Sequence, residues 1–94
     1  MQTRALVKIY GLVQGVGFRA WTKKCALSLG VEGWVRNLPD TSVEVFVVGP
    51  QGVVESFFER LRAGPAFSRV ERVEITECLE SPIPWDGQNF QQLR

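Results

Sequence analysis

The 94-residue chain contains 45% hydrophobic residues and carries a formal net charge of +1. This length predicts one domain over residues 1–94, and the apolar content is sufficient for a hydrophobic core. The nearly balanced charge argues against a nucleic-acid-binding surface, which would carry a strong basic excess. With no histidine and only two cysteines, the sequence predicts no metal site, no histidine-based catalysis and no disulfide framework.

The sequence also bears on where the protein acts. Arg4 and Lys8 interrupt the apolar stretch near the N-terminus, so no signal peptide is predicted. No apolar run approaches the roughly 20 residues that cross a bilayer. Cys25 and Cys78 are interpreted as buried, reduced thiols, with a single disulfide as the alternative. We therefore expect a cytoplasmic monomer with no membrane partner.

Apolar periodicity predicts the elements, in the order strand, helix, strand, strand, helix, strand, with a short strand at the end. Strands are predicted from alternation or from β-branched runs, over residues 4–10, 31–38, 43–48, 69–79 and 90–93. Apolar residues at helical spacing predict helices over residues 18–29 and 54–63. Residues 49–52 are expected to separate the third strand from the second helix. A slip in alternation between Val70 and Val73 predicts a bulge or a late strand start.

This order predicts an α+β fold, the ferredoxin-like α/β sandwich, with two helices on one face of a mostly antiparallel sheet. A right-handed crossover makes the first two strands parallel, and the third returns antiparallel after a tight turn. The apolar third strand suits a central position. Because parallel strands end at the same edge, the loop after the first strand and Asn37, in the second, should face one crevice.

The segment from Gly11 to Arg19 is the strongest candidate for a binding site. Its three glycines let backbone N–H groups turn inward onto one point, because no Cβ restricts φ there. Such a row of N–H groups at a helix N-terminus favours an anion, and Arg19 adds a planar charged group suited to phosphate oxygens. The segment lacks the Gly-Lys-Ser/Thr of a P-loop, and the chain lacks the repeated βαβ units of a dinucleotide fold.

Residues 11–19 resemble the phosphate-loop signature of the acylphosphatase family, and residues 33–37 with Asp40 resemble the second motif of that family. Gly49–Pro50 and residues 69–73 are similar as well, so the resemblance covers nearly the whole chain. It implies hydrolysis of the carboxyl–phosphate bond of an acyl phosphate to a carboxylate and inorganic phosphate. The expected partner is this small-molecule substrate, and no cofactor is expected.

The resemblance carries two catalytic roles onto this chain: Arg19 as phosphate ligand and Asn37 as the residue that positions the attacking water. The backbone amides of Gly15, Val16, Gly17 and Phe18, with that of Arg19, would complete the substrate-binding site. Gln14 is also expected at this site, where it either helps to shape the loop or faces water. An acyl phosphate releases a stable carboxylate, so phosphoryl transfer from it needs mainly positioning and charge stabilisation. The Asn37 amide cannot act as a base, but it can orient a water by hydrogen bonds.

Two positions depart from the family pattern. The family often has glycine where this chain has Thr41, and a β-branched residue resists positive φ, so the turn must change type or carry strain. The apolar residues of the tail, Phe90–Leu93, are spaced differently from the usual final strand, which leaves its register open. A phosphate-binding or regulatory domain without turnover remains the main alternative. An RNA-binding domain is a further one, although Trp34 and the other large aromatics are predicted to be core.

Overall fold

The computed structural model describes residues 1–94 and has two helices packed on one face of a five-stranded sheet. The strands are β1 (Gln2–Leu12), β2 (Glu32–Asn37), β3 (Val43–Pro50), β4 (Arg69–Glu77) and β5 (Phe90–Gln92). The helices are α1 (Phe18–Leu29) and α2 (Gln51–Ala63). The predicted ferredoxin-like arrangement and its element order are confirmed.

The sheet has the strand order β4-β1-β3-β2-β5, so β3 occupies the predicted central position. Both β1 and β2 pair antiparallel with β3, which makes them parallel to each other. The terminal strand β5 pairs parallel with β2, with Gly33 opposite Phe90. The C-terminal ends of β1 and β2 therefore lie at one edge of the sheet, and the loop into α1 starts from that edge.

Apolar layers cover both faces of the sheet. Between the sheet and the helices, β-strand valines pack against helix residues such as Phe57, which is fully buried. On the opposite face, Trp34 stacks on Phe46 with ring centroids 6.0 Å apart, and Trp85 packs edge-on against Phe46. The loop before β5 covers this second layer, and Ser81 Oγ accepts a hydrogen bond from Trp34 Nε1 at 2.8 Å. Trp34 is thus core, as predicted, on the face that RNA-recognition domains use for base stacking.

Local details follow from the sequence at several points. Gly30 adopts the left-handed conformation after α1, and its N–H donates to the Ala26 carbonyl at 2.8 Å, so it ends the helix as predicted. Where β4 pairs with β1, Arg72 lies opposite Tyr10 and Val70 lies opposite Gly11. Glu71 is therefore the extra residue of the predicted bulge in β4. No helix is both long and apolar enough to cross a membrane.

Two expectations change with the structure. Residues 49–52 do not form a separate connection, because β3 continues to Pro50 and α2 begins at the next residue. Both cysteines are free thiols as predicted, but only Cys25 is buried as expected. Cys78 is half-buried, and this partial burial raises the pKa of its thiol.

Candidate functional site

A small cavity of about 120 Å³ lies at the sheet edge where β1 and β2 end. Six of the residues expected at the site line it: Gln14, Gly15, Gly17, Phe18, Arg19 and Asn37. Val16, also expected there, does not line the cavity, whereas Gln92 of β5 does. The topology explains the juxtaposition, since β1 delivers the loop and β2 delivers Asn37 to the same edge.

The loop that lines this cavity contains a row of unpaired backbone donors. Gly15 and Gly17 have φ values of 77° and 76°, in the left-handed region that glycine adopts without strain. Gly17 precedes α1, and the first helical bond runs from the Trp21 N–H to the Gly17 carbonyl at 3.0 Å. The N–H groups from Gly15 to Ala20 donate to no acceptor in the chain, and the first turn of α1 has no acidic residue. This helix N-terminus therefore favours an anion.

The side chain of Arg19 is held by the C-terminal tail. Its Nη1 donates to the Leu93 carbonyl at 2.5 Å, and its other N–H groups make no hydrogen bond within the chain. A guanidinium offers five donors in a fixed plane, so it can bind the tail and a phosphoryl group together. From the sequence, the C-terminal tail was expected to affect only the register of the last strand and not the site. The structure corrects this, because Gln92 lines the cavity and Leu93 fixes the arginine.

Asn37 lines the cavity and has an unsatisfied side-chain acceptor. Its side-chain oxygen Oδ1 is buried and accepts no hydrogen bond from the chain. Leaving such a group without a partner costs about 1–3 kcal/mol, so buried amide oxygens are nearly always hydrogen-bonded. The amide oxygen of Asn37 is therefore an acceptor for which the chain supplies no donor.

The turn that follows Asn37 is tightly held. The Leu38 N–H donates to the Ser42 carbonyl at 2.9 Å, and the Thr41 N–H donates to the Leu38 carbonyl at 3.1 Å. Thr41 has a φ of 75°, so the turn keeps the backbone shape that suits glycine and carries the strain.

Asp40 braces the same turn. Its carboxylate accepts hydrogen bonds from the Ser42 hydroxyl and backbone N–H, and Lys8 Nζ lies 2.9 Å from Oδ2. The Ser42 hydroxyl, followed by Lys8, holds the pKa of Asp40 well below its usual range. Asp40 is therefore ionised over the whole physiological range.

The family model for acylphosphatases matches residues 5–90. The chain belongs to the acylphosphatase family. A curated acylphosphatase from Rhizobium etli is 53% identical over 80 residues, which cover 85% of each chain.

Solved acylphosphatase structures share the whole fold. That from Coxiella burnetii has a TM-score of 0.88 at 32% identity and covers 98% of this chain and 93% of its own. That from Bacillus subtilis has a TM-score of 0.87 at 32% identity and covers both chains completely. The family resemblance of the sequence and the fold that it implied are thus confirmed.

Proposed function

We propose that this member of the acylphosphatase family hydrolyses the carboxyl–phosphate bond of acyl phosphates by in-line attack of a water that Asn37 positions. Arg19 and the amides from Gly15 to Arg19 hold the phosphoryl group. One observation carries the proposal: Asn37, whose amide oxygen is unsatisfied, lines a small cavity together with Arg19 and a loop whose N–H groups have no acceptor in the chain.

The binding half of the proposal rests on charge. The free N–H groups at the start of α1 carry the positive end of the helix dipole, and Arg19 adds a full positive charge beside them. Donors fixed in advance stabilise charge on the equatorial phosphoryl oxygens without reorganising during the reaction. Because these groups already supply the positive charge, we propose that the reaction requires no metal ion.

The chemical half rests on positioning. Asn37 Oδ1 accepts a hydrogen bond from the water, whose oxygen then attacks phosphorus opposite the acyl oxygen. The phosphorus–acyl oxygen bond breaks, and its electron pair leaves with the carboxylate. The proton of the water passes to an oxygen of the phosphoryl group. Among the side chains around the cavity only Arg19 is ionisable, so the pH–rate profile should lack a limb that belongs to an enzyme base.

The test measures hydrolysis of benzoyl phosphate in excess chelator by the wild type, Arg19→Ala and Asn37→Ala. The matched control is Arg60→Ala, which removes an arginine from an exposed position in α2. Both site variants should lose nearly all turnover. Asn37→Ala should keep inhibition by inorganic phosphate, which Arg19→Ala should lose, and Arg60→Ala should match the wild type. A wild-type rate equal to the uncatalysed background, with phosphate still bound, would favour the binding domain without turnover.

We further propose that residues 1–94 act as one domain, and that the protein is a cytoplasmic monomer. One continuous sheet from β4 to β5 supports a single domain. The free thiols of Cys25 and Cys78 fit a reducing compartment. The outer strand β4 alternates charged residues such as Arg72 and Glu74, which disfavour pairing with the edge of a second copy. Analytical ultracentrifugation measures the oligomeric state.

A further inference from the structure

Gln14 differs from its neighbours in the loop because its side chain is bound to another part of the chain. Its Nε2 donates to the Leu38 carbonyl at 2.9 Å and to the Ser42 carbonyl at 2.8 Å. Both acceptors are carbonyl oxygens, so the chemistry fixes which end of the amide faces them. An amide nitrogen has only two N–H groups, and the turn after Asn37 takes both.

We propose that Gln14 is a positioning residue that ties the phosphate-binding loop to the β2–β3 turn and thereby sets Asn37 relative to the bound phosphoryl group. This inference deepens the proposed function and rests on it. With both donors engaged, only the acceptor Oε1 of Gln14 remains, and an acceptor repels phosphate oxygens. In this proposal Gln14 therefore acts through Asn37 and not as a phosphate ligand.

Side chains from outside and inside the turn hold it in place. Asp40 and Lys8 brace it, while Thr41 keeps a left-handed backbone within it. From the loop, Gln14 is the side chain that reaches the Leu38 and Ser42 carbonyls. Each of these carbonyls accepts one bond within the turn and one from Gln14.

The consequence for catalysis follows from the position of Asn37. It directly precedes Leu38, and its Oδ1 has no partner in the chain that would fix it separately. In-line attack requires the reacting atoms to lie about 3–3.5 Å apart, and an error of about 1 Å can cost about 10²-fold in rate. The free amides that bind phosphate follow Gln14 in the loop and make no hydrogen bond with its side chain. Loss of the tie should therefore reduce kcat more than phosphate binding.

The first test compares Gln14→Leu with Gln88→Leu, the same change at an exposed glutamine whose side chain makes no hydrogen bond. We expect Gln14→Leu to lower kcat by about 10–100-fold, with KM and the phosphate inhibition constant nearly unchanged. Gln88→Leu should match the wild type. In an Asn37→Ala background, Gln14→Leu should cause no further loss, because both changes remove the same function.

The second test uses Gln14→Glu, which keeps the shape but removes the donors when it is ionised. A protonated carboxyl donates one hydrogen bond, so the kcat of this variant relative to wild type should rise as the pH falls. The ratio for Gln14→Leu should stay flat. Of the other charged groups around the turn and loop, a guanidinium such as that of Arg19 cannot be deprotonated in a protein. The bond to Asp40 raises the pKa of Lys8, and the pKa of Asp40 lies below the tested range. Only the introduced carboxyl titrates there.

The outcomes separate the inference from the function that it rests on. A Gln14→Leu variant with raised KM, weakened phosphate inhibition and unchanged kcat would make Gln14 a substrate ligand and overturn the inference. If Gln14→Leu fails to fold, a flat ratio for Gln14→Glu overturns it instead. An inactive wild type would count against the proposed function, and the inference would still require Gln14→Leu to shift the side-chain amide resonances of Asn37 in ¹⁵N NMR spectra.

Discussion

Thr41 provides a direct test of backbone strain beside the site. Its φ of 75° lies in the left-handed region, and its exposed side chain makes no hydrogen bond. Replacing it by glycine removes the clash between Cβ and the backbone without removing a contact. The Gln14 and Asp40 bonds that hold the turn do not involve the Thr41 side chain, so kcat should stay close to that of the wild type.

The change in the free energy of unfolding caused by Thr41→Gly is the strain that is relieved minus the entropy that glycine costs. The left-handed conformation costs an L-residue about 1–2 kcal/mol. Glycine loses about 0.5–1 kcal/mol through the greater freedom of the unfolded chain. Thr41→Gly should therefore stabilise the protein by about 0.75 kcal/mol, within a range of about 0–1.5 kcal/mol. The central value corresponds to a rise in Tm of about 3–6 °C for a domain of this size.

The matched control is Thr76→Gly, which removes the same atoms from an exposed position in β4 without positive φ. It should destabilise the protein by about 0.5–1 kcal/mol, because no strain is relieved there. Urea unfolding monitored by tryptophan fluorescence measures both free energies. If Thr41→Gly destabilises the protein as much as Thr76→Gly does, the turn carries no strain and the reasoning fails. Thr41→Ala adds a check, since alanine retains Cβ and should gain little.

Three further predictions follow from the contacts described above. Arg19→Lys should lower kcat/KM by about 10–100-fold although the charge is kept, because an ammonium lacks the planar set of donors; near-wild-type kinetics would refute this. Asp40→Asn should destabilise the protein at neutral pH. Its difference from wild type in urea midpoint should shrink once the pH falls below about 4, the unfolded pKa of an aspartate, and should vanish only as the pH falls through the lowered folded pKa of Asp40. A pH-independent difference would contradict that role. Phe57→Ala, at a fully buried position where Phe90 packs edge-on, should cost about 3–5 kcal/mol in urea unfolding.

Much of the fold was predictable because its signals are local. Helical spacing and Gly30 indicated α1, and the slip between Val70 and Val73 indicated the bulge that pairing with β1 produces. The boundary at residues 49–52 was wrong, because turn-forming residues also fit the end of a strand and the first turn of a helix. Pro50 closes β3, and α2 starts at the next residue.

The sequence by itself determined the element order, the glycine-rich loop and the two candidate side chains, because periodicity, glycine spacing and side-chain chemistry are written along the chain. Only the tertiary structure decided what touches them. The carbonyl partners of Gln14 lie 24 and 28 residues away, and Arg19 is held by a main-chain oxygen at Leu93. Every residue has a backbone carbonyl, so no residue type marks these acceptors, and it is the pairing of the strands that brings them to the side chains of Gln14 and Arg19.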